Sequence, residues 1–235
     1  MSLRAQRSKH PSWPWILASA AGFAIGGAIA GGVILAAELA LVDTAQSQAD
    51  AAVALALVTA VSMGSTGATV GVLQWLVLRR WLPASGWWIA ATAGGWAAAG
   101  VIAGTLAGFL GRAVTGVGPG IGVLGYLLAF VGSVTAIGLL PDVLQSVVLW
   151  RRVGALAWTA VHLTALGAGV LVAFPVMLVV ASLFGFRVPS AQAWALAGLL
   201  VGTLFGTVTW RLLERASATG AEPRAAFVRP GGATG

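Results

Sequence analysis

Two ionisable side chains, Asp142 and His162, lie inside long apolar stretches of the sequence, where charged groups are rare. An ionisable group in such a setting is a candidate for binding a proton, a cation or a polar lipid headgroup. The other interpretation is that both groups belong to a buried layer of hydrogen bonds between helices and have no further role. These two residues alone leave both interpretations open.

Six apolar stretches account for most of the chain. The sequence is 59% hydrophobic and 8% charged, whereas soluble domains carry about 25% charged residues. Each stretch exceeds the ~20 residues that cross a hydrocarbon core. A single segment in that core can pair all of its backbone N–H and C=O groups only as a helix. We therefore predict an all-α, polytopic membrane bundle of six transmembrane helices, at 15–40, 51–78, 88–111, 120–150, 156–183 and 191–213.

The positions of the basic residues predict how the chain is oriented. If the N-terminus is cytoplasmic, every Lys and Arg except Arg112 and Arg187 falls on the cytoplasmic side, as the positive-inside rule requires. We expect a multi-pass protein of the cell membrane with both termini in the cytoplasm. Its domains would be an N-terminal tail (1–14), a transmembrane domain (15–215) and a C-terminal tail (216–235) that is small, polar and disordered.

The sequence also repeats itself. WILASAAGFAIGGAIAG, from Trp15, and WIAATAGGWAAAGVIAG, from Trp88, are identical at ten of seventeen positions. GVLQWLVLRR, from Gly71, aligns with GTVTWRLLER, from Gly206, and with DVLQSVVLWRR, from Asp142, after one insertion. These matches predict three parallel helix pairs, at about 15–80, 88–152 and 158–215, with any symmetry axis along the membrane normal.

One of these segments carries a family resemblance. Its matching residues are Gly71, Gln74, Trp75, Leu76, Leu78, Arg79 and Arg80, followed by Trp87 and Trp88. This pattern resembles a group of uncharacterised bacterial polytopic membrane proteins with GxxQWLxLRR-type helix-pair repeats. The resemblance implies a polytopic helical fold and carries over no activity and no catalytic residue.

The repeat alignment places several polar residues at one depth, near the cytoplasmic side. Asp142 aligns with Gly71 and Gly206, and His162 aligns with Ser19 and Thr92. If the helix pairs pack around a common axis, a single cluster results, which we call the polar layer: Asp142, His162, Gln74, Gln145, Thr209, Ser19 and Thr92. The layer is either a satisfied hydrogen-bond layer or a site for a proton, a cation or a polar headgroup.

Glycines recur at every fourth position on two predicted helices, which places them on one helix face and lets backbones approach closely. They are Gly100, Gly104 and Gly108 on the third helix and Gly198, Gly202 and Gly206 on the sixth. We expect these faces to pack within the chain, with homo-oligomerisation as the alternative.

Arginines and tryptophans gather near the predicted cytoplasmic ends. Arg79, Arg80, Arg151 and Arg152 are expected to anchor the helices and to contact anionic lipid headgroups. The tryptophans near these ends are expected to form an aromatic belt at headgroup level, with a pigment or quinone site as the less favoured alternative. This set includes Trp13, Trp15, Trp87, Trp88 and Trp158.

No catalytic motif emerges from the sequence. It has no cysteine and only two histidines, and we expect no metal, no cofactor, no nucleic-acid partner and no enzymatic activity. The first hypothesis is a non-catalytic structural or accessory subunit that packs through glycine-rich faces against a membrane protein or a second copy of itself. The alternative is a small-solute, ion or lipid transporter or channel that uses the polar layer.

Overall fold

The computed structural model describes residues 13–41, 48–79, 86–114, 138–147, 155–184 and 190–218. Within these ranges the chain forms six helices and no strand: α1 (Trp13–Leu41), α2 (Gln48–Leu78), α3 (Gly86–Val114), α4 (138–147), α5 (Ala155–Phe184) and α6 (Ala191–Ala218). The predicted all-α class is confirmed.

Five of the helices are long and apolar enough to cross a membrane. Their apolar spans are 18 to 27 residues long, with mean hydropathy between 1.4 and 1.9. This is the pattern of a multi-pass membrane protein. The fourth predicted span, 120–150, lies partly outside the described residues, and its described part is the helical segment 138–147.

The observed helices differ from the predicted spans mainly at their ends. Helix α1 begins at Trp13, and α6 continues to Ala218. The predicted tails therefore lose a few residues to the helices, and their remainders, 1–12 and 219–235, lie outside the described residues. A helix extends past its apolar span because its backbone N–H and C=O groups continue to hydrogen-bond to each other at headgroup depth. Polar side chains are tolerated at that depth.

The helices pack in chain order and close into a ring. Helix α1 contacts both α2 and α6, α2 contacts α3, and α5 contacts α6. Helix α4 lies between α3 and α5, since Gly95 of α3 faces Pro141 and Gly138 of α4 faces Leu163 of α5. The sixth helix thus completes the ring against the first.

The glycine faces predicted on α3 and α6 are used inside this ring. A Cβ atom built on Gly104 would lie 2.6 Å from the Cα atom of Ala56 in α2. On α6, a Cβ atom on Gly202 would lie 2.8 Å from the Cα atom of Ala20. Gly100 approaches α2, and Gly198 and Gly206 approach α1 in the same way, while Gly108 lies beyond the part of α3 whose packing is described. These glycines let neighbouring backbones touch.

The outside of the ring is apolar. Large side chains such as Leu17, Leu57, Leu171 and Leu183 are more than half exposed. A surface of this kind is stable in lipid, whereas a soluble protein rarely exposes so large an apolar area. Nine polar or charged side chains of the described residues are buried instead, among them Gln74, Asp142 and His162, which places the candidate site inside the bundle.

Candidate functional site

The structure brings all seven residues of the polar layer together in the interior of the ring. Their exposed fractions run from 0% for Ser19 and Thr209 to 4% for His162. Buried polar groups in a low-dielectric interior are costly unless they hydrogen-bond to one another. The partners of each group therefore decide what the layer can do.

Three layers stack along the odd-numbered helices, because residues four apart lie on one helix face. The tryptophan layer is Trp15, Trp88 and Trp158, all fully buried. One turn further along each helix lie Ser19, Thr92 and His162 of the polar layer. After another turn come Phe23, Trp96 and Leu166, which with Phe205 of α6 form the apolar layer, also buried.

The tryptophan layer joins neighbouring helices through its indole N–H groups. Trp15 Nε1 donates to Thr209 Oγ1 at 2.9 Å, Trp88 Nε1 donates to Gln74 Oε1 at 3.2 Å, and Trp158 Nε1 donates to Gln145 Oε1 at 3.3 Å. The rings also contact edge to face, with centroids 6.2 Å apart for Trp15 and Trp88 and 5.8 Å apart for Trp88 and Trp158.

For these three tryptophans, the prediction of an aromatic belt was wrong. Trp13 and Trp87 are 61% and 74% exposed, as a belt requires, but the neighbouring Trp15 and Trp88 are fully buried. Depth near a helix end does not distinguish a headgroup position from a core position. For Trp15, Trp88 and Trp158 the informative signal was the spacing, because each of the three precedes a member of the polar layer by four residues.

The two glutamines each connect three helices. Gln74 of α2 donates from Nε2 to Ser19 Oγ of α1 at 3.0 Å and accepts from Trp88 of α3. Gln145 of α4 donates to Thr92 Oγ1 of α3 at 2.9 Å and accepts from Trp158 of α5. Both ends of each amide are therefore paired.

The hydroxyl groups of Thr92 and Thr209 each donate a hydrogen bond to a backbone carbonyl oxygen of their own helix. Thr92 Oγ1 donates to the Trp88 carbonyl oxygen, and Thr209 Oγ1 donates to the Phe205 carbonyl oxygen, both at 2.7 Å. Each oxygen thus gives its proton to the backbone and receives a proton from a side chain on another helix. This arrangement leaves neither hydroxyl unsatisfied.

Asp142 and His162 form the ionisable part of the layer. His162 Nδ1 is hydrogen-bonded to Asp142 Oδ1, which joins α5 to α4. The imidazole lies against Trp158 and Phe205, with ring centroids 4.1 Å and 4.4 Å away. Asp142 Oδ2 and His162 Nε2 are buried and have no hydrogen-bond partner among the described residues.

Two other helix contacts in the ring place a glycine where α4 has Asp142. A Cβ atom on Gly71 would lie 3.2 Å from the Cβ atom of Thr92, and one on Gly206 would lie 3.0 Å from the Cβ atom of Ser19. Glycine meets a small hydroxyl residue at those contacts, whereas a carboxylate meets an imidazole between α4 and α5.

A cavity of about 20 Å³ lies between the polar layer and the apolar layer. All six helices contribute to its wall, for example through Phe23, Gln74, Thr92, Asp142, His162 and Phe205. The cavity is therefore central in the ring, and its wall is polar on one side and apolar on the other.

The candidate lipid-contacting arginines are mostly outside the described residues. Arg79 is exposed at the end of α2, where its guanidinium carbon lies 5.3 Å from the centre of the Trp75 ring. Arg80, Arg151 and Arg152 are not among the described residues. Within the described ranges, no group of three or more His, Asp or Glu residues is placed to hold a metal ion.

No protein-family model matches the chain, and no curated protein and no solved structure is significantly similar to it.

Proposed function

We propose that this chain is a non-catalytic integral membrane protein that acts as a structural or accessory subunit. The observation that carries the proposal is that the amide and hydroxyl groups of the polar layer hydrogen-bond to one another and to the tryptophan layer, whereas Asp142 and His162 pair through one atom each. Gln74, Gln145 and the three indoles bond to groups of the same layer on neighbouring helices. Hydrogen bonds of this kind between side chains of neighbouring helices stabilise helix packing in lipid.

The architecture that we propose for this scaffold is a ring of three helix pairs. The support is the recurrence of one set of contacts, since each member of the tryptophan layer donates to an even-numbered helix at Gln74 or at a position that the alignment pairs with Gln74. In this proposal Asp142 and His162 are the members that break an otherwise threefold pattern.

The proposed setting is the bacterial cell membrane, with both termini in the cytoplasm. The distribution of Lys and Arg supports this orientation. The tryptophan layer and Arg79 would then lie near the cytoplasmic face. Arg79, Arg80, Arg151 and Arg152 would meet anionic headgroups there.

The internal use of the glycine faces changes where a partner could bind. Gly104 and Gly202 contact α2 and α1 of the same chain, so these faces are occupied. A protein partner or a second copy would instead cover part of the apolar outer surface, for example around Leu57 or Leu171, which are 61% and 72% exposed.

Mild extraction from the native membrane, followed by native mass spectrometry, tests this proposal. We expect a stoichiometric second protein or a homo-oligomer, and the same assembly for Asp142→Asn, because the scaffold role does not use the carboxylate charge. A monomer that carries only lipid under the mildest extraction conditions would contradict the proposal.

The second candidate function is the binding and movement of a proton or a small ion. It is favoured by the buried Asp142–His162 pair, because ionisable groups at membrane depth commonly mark ion pathways. The cavity of about 20 Å³ has no room for a larger solute or a lipid headgroup.

A flux assay in liposomes tests this second function. Protons and sodium ions would be the probes, Asp142→Asn the variant and Thr164→Val the control, since Thr164 is exposed and its hydroxyl donates to the Ala160 carbonyl oxygen of the same helix. Loss of flux in Asp142→Asn alone would support the function. Absent flux in the wild type, or equal flux in both variants, would remove it.

A further inference from the structure

The hydrogen-bond pattern of the polar layer is interrupted at His162. At the two other contacts of this kind, a glutamine of an even-numbered helix donates to a hydroxyl residue of an odd-numbered helix. These bonds run from Gln74 to Ser19 and from Gln145 to Thr92. The alignment pairs both glutamines with Thr209 of α6, whose hydroxyl donates to the Phe205 carbonyl oxygen of its own helix. His162 therefore receives no amide hydrogen bond from α6.

The unpaired nitrogen of His162 points away from the partner of the other nitrogen. Nδ1 is hydrogen-bonded to Asp142 Oδ1 of α4, and the two nitrogens of an imidazole point in nearly opposite directions. Nε2 therefore points away from the carboxylate, and it is buried with no hydrogen-bond partner among the described residues. Helix α5 also packs against α6, and the imidazole centroid lies 4.4 Å from that of the Phe205 ring. The side of the imidazole opposite Asp142 is thus the side on which α6 lacks an amide.

The protonation of Nε2 decides the net charge of the Asp142–His162 pair. The hydrogen bond between Nδ1 and Oδ1 holds one proton, which belongs to one of these two atoms. If Nε2 is unprotonated, the pair holds that proton alone and has one net negative charge. If Nε2 is protonated, the pair has no net charge, whichever atom holds the shared proton. A further proton on Oδ2 would give the pair a net positive charge.

The surroundings of the pair offer no charge that could balance it. Among the described residues, Asp142 and His162 are the only buried ionisable side chains. The side chains around them are neutral: Trp158 of α5, Phe205 of α6, Gln145 of α4 and, across the cavity, Phe23, Gln74 and Thr92. A net charge in such an interior is costly unless an opposite charge is paired with it. The state with a proton on Nε2 is therefore favoured.

We propose that Nε2 of His162 is a proton-binding site, which holds one proton at neutral pH and so keeps the pair free of net charge. The proton comes from water, and its binding takes the pair from one negative charge to none. Asp142 is the positioning residue, because its carboxylate holds Nδ1 and so directs Nε2 away from α4. Thr209 leaves Nε2 open, since a glutamine at that position would bring an amide to it.

The proposal deepens the second candidate function and rests on its proton-binding part alone. Movement of protons across the membrane is a separate matter, which the flux assay decides. A protonated Nε2 in a protein without proton flux would support the binding site while removing the transport function.

Solid-state NMR of the full chain in liposomes tests the proposal. His10 is the only other histidine, so His10→Ala with ¹⁵N-labelled histidine isolates the ring of His162. At about pH 7, near the ordinary titration range of histidine, we expect a proton bonded directly to Nε2 and a second proton shared between Nδ1 and the carboxylate. As the pH is raised, the proton on Nε2 should be lost first. An unprotonated Nε2 at neutral pH, or earlier loss of the shared proton, would overturn the proposal.

Two matched variants test the direction of Nε2 in the same experiment. Thr209→Gln supplies the missing amide on α6 and should hydrogen-bond to Nε2, which should shift the Nε2 resonance. Thr203→Gln is the control, since Thr203 is exposed on the same helix and its hydroxyl donates to the Leu199 carbonyl oxygen. A shift in Thr209→Gln alone supports the placement of Nε2 toward α6. An unchanged resonance, or equal shifts in both variants, would contradict it, and the first measurement stands whether or not Thr209→Gln folds.

Discussion

The imidazole of His162 hydrogen-bonds the carboxylate of Asp142 at a level of the bundle where two other helix contacts are made by glycine and a hydroxyl residue. Gly71 faces Thr92, and Gly206 faces Ser19. The same level of the ring can therefore be built with or without an ionisable pair. Asp142 and His162 can therefore be replaced by the glycine and the threonine that occupy the equivalent contact between Gly71 and Thr92.

The first prediction concerns the energetic coupling of the pair. Asp142→Gly and His162→Thr each leave a buried polar partner unpaired, so each should lower the free energy of unfolding. The double variant recreates the Gly71–Thr92 combination and should lose less than the sum of the two, with a coupling of about 1 to 3 kcal/mol. Reversible unfolding in mixed micelles measures all three variants, and strictly additive losses would argue against a coupled pair.

The second prediction concerns the indole hydrogen bonds. Trp15→Phe, Trp88→Phe and Trp158→Phe keep an aromatic ring but remove the N–H donor, so each should cost about 1 kcal/mol of unfolding free energy. Trp13→Phe and Trp87→Phe are matched controls on exposed neighbours. Thermal unfolding of the five variants checks the expectation, and equal effects in the buried and exposed positions would contradict it.

The third prediction compares two adjacent glycines of α3. A Cβ atom on Gly95 would lie 2.5 Å from the Cα atom of Pro141, whereas no atom of the described residues lies within 4 Å of one on Gly94. Gly95→Ala should therefore destabilise the bundle by about 1 to 3 kcal/mol through overpacking. Gly94→Ala should be neutral or slightly stabilising, since alanine favours a helix. The same unfolding assay separates the two, and a reversed order would place α4 elsewhere.

The fourth prediction tests the orientation of the chain. Because the sequence contains no cysteine, a single introduced thiol is a unique reporter. Asp50→Cys and Gly86→Cys lie at exposed positions near opposite ends of the bundle. With cytoplasmic termini, a membrane-impermeant maleimide should label Asp50→Cys on intact cells and Gly86→Cys only after lysis. Labelling in the opposite pattern would reverse the proposed topology.

The sequence predicted the helices and the grouping of the polar residues at one level of the bundle better than it predicted side-chain direction. Ser19, Gln74 and Thr92 were placed at one level because the repeated segments align without gaps. Trp15 was misplaced because its helix is apolar on every side. In lipid, hydrophobicity does not distinguish the outer surface of a helix from its packed face.

The hydrogen-bond partners could not be predicted, because they depend on which helices are neighbours in space. The alignment put Asp142 and His162 at similar depth, but depth alone does not show that α4 and α5 touch there. The water-sized cavity is likewise a product of packing between six helices. The same holds for Gly202. The spacing of the glycines predicted that this face of α6 packs against another helix, but it did not predict that the other helix is α1.

The contact between α1 and α6 has a consequence for biosynthesis. The hydrogen bond from Trp15 to Thr209 joins residues 194 positions apart, and the N-terminal part of a chain is made first. Helix α1 thus enters the membrane long before its second neighbour exists. A chain that stops before Ala191 leaves the indole of Trp15 without its acceptor and the backbone of Gly27 uncovered by Trp194. The insertion of α6 is therefore the step of synthesis that closes the bundle, because only then are these two groups of α1 covered.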